Sequence, residues 1–126
     1  MSCSIQLNNE QGIVYYQHNG TIGKNDIIDA WEKVLTLLIH QGTGYNLLLD
    51  FREAHFIFKP FEIDEIVNFF HSSISILNGR KIAGIVIQSH EAAIIKLIET
   101  LKGKDIDFQI RAFMTIKEAF KYLYIK

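Results

Sequence analysis

Apolar residues crowd into two short runs of this chain and recur periodically almost everywhere else. Leu47-Leu48-Leu49 leaves no polar face, so it predicts a strand covered on both sides. Asp50 ends that run at a carboxyl end, where open α/β folds place their ligands. Lys81 to Ile87 is the second run and predicts a buried strand beside the first. Two weaker strands come earlier, over Ser4 to Asn8 and Ile13 to His18. The turn residues Asn8-Asn9-Glu10-Gln11-Gly12 join them into an antiparallel hairpin. Phe108 to Phe113 supplies a final strand.

Helical spacing fills the intervals. Ile27, Ile28, Trp31, Val34, Leu35 and Leu38 mark the buried stripe of a first helix. Asn25 is its expected N-cap, Asp26 faces its positive end, and Gly42 and Gly44 close it. The strand-helix-strand succession that follows reads as a right-handed crossover. Pro60 suits a first helical turn, and Ile63, Ile66, Val67, Phe70, Ile74 and Leu77 stripe one continuous second helix up to Asn78-Gly79. Ser89 is expected to cap a third, with Ala93, Ile94, Leu97, Ile98 and Leu101 inward. Thr115 and Glu118 form a capping box for a last helix that buries Ile116, Ala119, Phe120 and Leu123. The order β-β-α-β-α-β-α-β-α predicts a single α/β domain over residues 1–126. It is a mixed sheet of about five strands, the first antiparallel, with about four packed helices.

Composition narrows the function more than the fold. A chain of 126 residues with 48% apolar and 21% charged residues is an ordinary globular domain. Its formal charge of −1 is spread along the chain, so there is no basic footprint for nucleic acid. Cys3, the sole cysteine, cannot make an internal disulfide, which fits a reducing compartment. The start lacks a basic region followed by an apolar stretch, and no apolar run approaches the roughly 20 residues of a membrane span. A cytoplasmic protein is the expectation.

Three segments carry a resemblance. They are Asn46-Leu47-Leu48-Leu49-Asp50-Phe51-Arg52-Glu53-Ala54, Lys81-Ile82-Ala83-Gly84-Ile85-Val86, and the ending Phe113-Met114-Thr115-Ile116-Lys117-Glu118-Ala119-Phe120-Lys121-Tyr122-Leu123. In this order the chain resembles, over nearly its whole length, the SpoIIAA-like relatives of the STAS domain, a small bacterial family. The resemblance implies a mixed sheet with helices packed on it and no established catalysis. The better-known STAS proteins are partner-switching antagonists of anti-sigma factors. Their switch is a phosphorylatable Ser or Thr between the aspartate-ended strand and the next helix. No hydroxyl residue occurs here from Phe51 to His71, and Ser72, Ser73 and Ser75 come too late to match. That phospho-switch is therefore not expected. For the SpoIIAA-like group the resemblance implies instead membrane association or an apolar ligand.

The sharpest chemical feature is the loop Phe56-Ile57-Phe58 with Phe61, since loops run over the surface and large apolar residues there need a reason. Either they fold back as a lid, or Phe56, Phe58, Lys59, Phe61 and Phe70 meet a partner or ligand. Asp50, Arg52 and His90 are candidates for a polar site, although Asp50 capping local amides and Arg52 pairing with a surface carboxylate is the simpler role. His18, His40, His55, His71 and His90 are scattered without a His-x-x-x-His pair, so neither a metal nor a cofactor is expected. Ser89-His90 lacks a Gly-x-Ser-x-Gly elbow, and no glycine cluster forms a phosphate loop. No catalytic residue is assigned. The expected function is a non-enzymatic, STAS-like binding and regulatory module, a homodimer or docked to a protein partner through the second helix and the loop before it. The alternative is a carrier or sensor of a lipid-like ligand, with reversible membrane association. There Phe56, Phe58, Phe61 and Phe70 would line the pocket and Lys59 would face anionic head groups. A small enzyme built on Asp50, Arg52 and His90 is the third class.

Overall fold

The computed structural model describes residues 2–40, 44–103 and 107–124. Their strands are β1 (Ser2–Asn8), β2 (Ile13–Ile22), β3 (Asn46–Asp50), β4 (Ala54–Phe56), β5 (Lys81–Ile85) and β6 (Gln109–Phe113). The helices are α1 (Lys24–His40), α2 (Pro60–Ser72), the short α3 (Ile74–Leu77), α4 (Ser89–Lys102) and α5 (Ile116–Tyr124). The sheet runs β1-β2-β3-β5-β6, with β4 off this path against β2. β1 is antiparallel to β2, as the tight turn at Gly12 requires, and every other pairing is parallel. This is the mixed α/β sheet expected, with one strand more.

The extra strand exists because β2 is long enough to pair twice. Its first half runs beside β3, from Ile13 opposite Asn46 to Gln17 opposite Asp50. Its last three residues run beside β4, from Gly20 opposite Ala54 to Ile22 opposite Phe56. Between the two partners the chain steps aside at Phe51-Arg52-Glu53, and Ala54 N–H donates to Phe51 O at 3.0 Å. The strand expected over Ile13 to His18 thus continues through Asn19-Gly20, a pair that favours turns, to Ile22. Gly20 instead takes φ +94° inside the strand, a conformation that glycine adopts without a steric penalty.

Alternation along the strands divides the core. Val14, Tyr16, Leu47, Leu49, Ile82 and Ile110 face α1, α2 and α4. Ile13, Leu48, Ala83 and Ile85 face α5, which contributes Ala119 and Leu123. The leucine strand is thus covered on both sides, each side chain contributing about 1.5–3 kcal/mol through burial.

Five local expectations are corrected. Asn25 does not cap α1; Asp26 does the work, its Oδ2 accepting Gly23 N–H at 2.9 Å. The second helix is not continuous. Ser72 and Ser73 hydroxyls both donate to Phe69 O, competing with the helical ladder, and Ser73 leaves helical geometry at φ −107°. Ser89 is the first residue of α4 rather than its cap, and Gln88 precedes it without a side-chain bond. The α4 stripe is also rotated: Glu91, Ile94, Ile95 and Ile98 are buried, while Ala93, Leu97 and Leu101 face solvent. Apolar residues nearly encircle this helix, so spacing alone could not choose the face. In α5, Ile116 is exposed although Ala119 and Leu123 are buried. The Thr115 cap holds, with Glu118 N–H donating to Oγ1 at 3.2 Å. Gly44 takes φ +78°, and Gly42 lies outside the described residues. No helix among the described residues is long and apolar enough to cross a membrane.

Candidate functional site at the carboxyl edge of the sheet

Strands β2 to β6 all point toward one edge, and the residues singled out from the sequence lie on the segments leaving it. Asp50, the last residue of β3, is buried with both oxygens engaged. Oδ1 accepts Arg52 N–H at 3.1 Å and Arg52 Nε–H at 2.9 Å; Oδ2 accepts Arg52 Nη2–H at 2.7 Å and the Tyr15 hydroxyl at 2.9 Å. Burial by itself would raise the Asp50 pKa. The Arg52 side-chain and backbone bonds, with Tyr15, outweigh it and hold the carboxyl below its ordinary range. The same contacts drive Arg52 upward, mainly through the Asp50 bond. Asp50 therefore has its accepting capacity used within its own chain. The pair fastens the exit from β3: Asp50 accepts a local backbone amide as expected, but Arg52 pairs with the buried Asp50 itself rather than with a surface carboxylate.

His90 does not join them. Its Nε2 is 3.0 Å from Phe56 O, and its ring centroid is 5.5 Å from that of His55. The third corner is Glu91, whose Oε2 lies 3.5 Å from His55 Nδ1 and 3.6 Å from His90 Nε2 and accepts Phe56 N–H at 3.1 Å. The scatter of histidines in the sequence conceals this meeting, and nothing in the sequence marks Glu91. A glutamate in the first turn of a helix reads as a solvated charge against the dipole. Only the rotated stripe of α4 reveals that it points inward.

The aromatic loop splits by alternation. Phe56 is 4% exposed, its ring edge-on to Phe51 and stacked on Phe58 at centroid distances of 5.1 Å each. Phe70 is 2% exposed and packs edge-on to Trp31. Neither reaches the surface, so the expectation of a contact role for Phe56 and Phe70 gives way to a core role. The residues between point outward: Ile57 is 53% exposed and Phe61 59%. Lys59 stands over the Phe61 ring, Nζ 6.0 Å from its centroid. Ile87 after β5 and Met114 after β6 are also exposed, so apolar side chains recur along the edge.

Phe56, Phe58 and Phe70 do line an apolar cavity with Trp31, Leu49 and Ile66, but it measures about 30 Å³. A cavity of about 150 Å³ is needed to admit benzene, so this one holds no acyl chain as it stands. Phe61 is outside it. A larger open cleft of about 590 Å³ lies elsewhere, between the β1–β2 turn and Phe120. Its walls mix the amides of Gln6, Asn8, Asn9 and Gln11 with apolar and aromatic side chains such as Leu7, Ile13 and Tyr15.

No protein-family model matches the chain, and no curated protein does. Among solved structures it is similar to the crystal structure of an uncharacterized protein from the DUF3478 family, with a SpoIIAA-like fold, from Shewanella loihica PV-4. The TM-score is 0.63 at 11% identity, over 97% of this chain and 92% of that one. At this identity the likeness is one of fold.

Proposed function

We propose that this SpoIIAA-like fold serves as a non-enzymatic binding and regulatory module that meets a protein partner, a second copy of itself first among them, through the segment from Arg52 to Phe61. The observation that carries the reading is the alternation at the carboxyl edge. Phe56 and Phe58 are anchored in the core while Ile57 and Phe61 are held out in water. Anchoring matters energetically, because a contact already held in place loses little freedom on binding. A phosphoryl switch plays no part in the reading. The first Ser residues after the aromatic segment, Ser72 and Ser73, are bonded to Phe69 O at the far end of α2.

Sedimentation equilibrium on the wild type and on Phe61→Asp tests this directly. Concentration-dependent self-association that the variant weakens supports the reading. Identical monomers in both, with no vesicle binding either, would sink it.

Reversible membrane association is the second reading, favoured by the cation of Lys59 set over an exposed aromatic ring. Binding to vesicles containing anionic lipid, weakened by salt and by Lys59→Glu, distinguishes it from the first.

A further inference from the structure

We propose that His55, His90 and Glu91 form a binding site for a divalent transition-metal ion of the zinc type, held by two imidazoles and one carboxylate. Two elements bring these residues together: β4 carries His55, and the first turn of α4 carries His90 and Glu91. Their donor atoms all lie within 4.8 Å of one another, and the Glu91 Oε2 separations to the two imidazoles are 3.5 Å and 3.6 Å. Two ligand atoms each roughly 2.0–2.1 Å from one tetrahedral ion stand about 3.4 Å apart. The carboxylate-to-imidazole edges are thus close to metal-ready. The remaining edge closes by rotation of the His55 and His90 rings, both of which are exposed.

A second observation is independent of the convergence. Glu91 is 1% exposed, and its Oε1 is buried without a hydrogen-bond partner. A buried carboxylate oxygen left unpaired is costly, and natural folds rarely keep one without a use. A cation coordinated by Glu91 compensates the charge. Phe56 N–H, donating to Oε2 at 3.1 Å, already orients the carboxylate, as outer contacts do at metal centres. His90 exchanges its bond to the Phe56 carbonyl for the metal, and the proton of the neutral ring moves by way of solvent from Nε2 to Nδ1, freeing the Nε2 lone pair.

The donor types select the ion. Two nitrogens and one oxygen suit zinc, cobalt or nickel, whereas magnesium and calcium call for oxygen donors throughout. Three protein ligands leave a position open to water or to a donor from a partner. Because His55 belongs to β4 and Glu91 to α4, a bound ion ties the aromatic segment to the helix behind it.

Untagged full-length protein, freed of metal with a chelator and titrated with Co2+ and then Zn2+, gives the test. The expected result is one ion per chain, a visible absorption band of low-symmetry cobalt, displacement by zinc and a raised melting temperature. His55→Ala and His90→Ala should each weaken zinc binding by about tenfold or more, with His71→Ala as the unaffected control. Glu91→Gln should weaken it similarly; should that variant not fold, the two exposed histidines still decide. Absence of the cobalt band, or zinc affinity unmoved by both histidine variants, overturns the proposal.

Discussion

Arg52 closes a fork on Asp50, two residues before it, with Nε and Nη2 donating to separate carboxylate oxygens at 2.9 Å and 2.7 Å. The carboxylate is buried and the guanidinium is partly in water. This pairing turns the chain out of β3 and starts the step that lets β4 reach β2.

Its loss is readable in acid. The folded Asp50 carboxyl is held below 3.8, its ordinary value, so under that pH the unfolded chain takes up a proton that the folded chain refuses. Stability from this pair is therefore complete above 3.8 and falls as pH drops through the folded value. Urea unfolding from neutral pH downward should show that decline in the wild type and a shallower one in Asp50→Asn. At neutral pH the substitution should cost about 1–3 kcal/mol, the range for impairing a buried charge-assisted bond.

His18 makes a separate acid-sensitive step at higher pH. It is buried on β2, bonded to the Tyr16 hydroxyl, with Nε2 unpartnered. Burial lowers its pKa from 6.5, and the nearby Asp26 charge only partly opposes that. The unfolded chain binds the proton first, so stability should fall as pH drops through 6.5. His18→Leu should flatten the melting temperature in that interval while leaving the Asp50 step in place.

Gly84 in β5 lies beneath Ile95 of α4. A Cβ built there would lie 2.9 Å from Ile95 Cδ1. That atom is the tip of a side chain, so Gly84→Ala should cost no more than about 1 kcal/mol, whereas Gly84→Val should cost about 1–3 kcal/mol by overpacking. Ile95→Ala should recover part of the valine penalty. Urea midpoints of the two single variants and the double variant measure that coupling.

The aromatic loop offers a contrast within one segment. Phe56→Ala removes a ring from the core and should destabilise by about 3–5 kcal/mol. Phe61→Ala removes an exposed ring and should change stability by less than about 0.5 kcal/mol. Equal effects in thermal melts would mean that Phe61 is packed and would remove it from the contact surface.

Patterns local to the chain were enough for much of the architecture. Three consecutive leucines have no face to spare for water, and Ile27 to Leu38 can bury only one stripe of a helix, so those elements follow from period and composition alone. The same holds for the β1–β2 hairpin, the Pro60 start of α2 and the Thr115 cap. Neighbours remote in the chain decided the rest. β4 is three residues whose backbone groups are satisfied only because β2 runs past β3 to meet them. The inward face of α4 was chosen by its packing on β6 and α2, which sets Ile95 over Gly84 and turns Glu91 into the interior. His55 and His90 then meet over that carboxylate because β4 and the start of α4 lie at the same edge. Spacing reports which residues share a helix or strand face; it carries no information about which faces the packed sheet will set against each other.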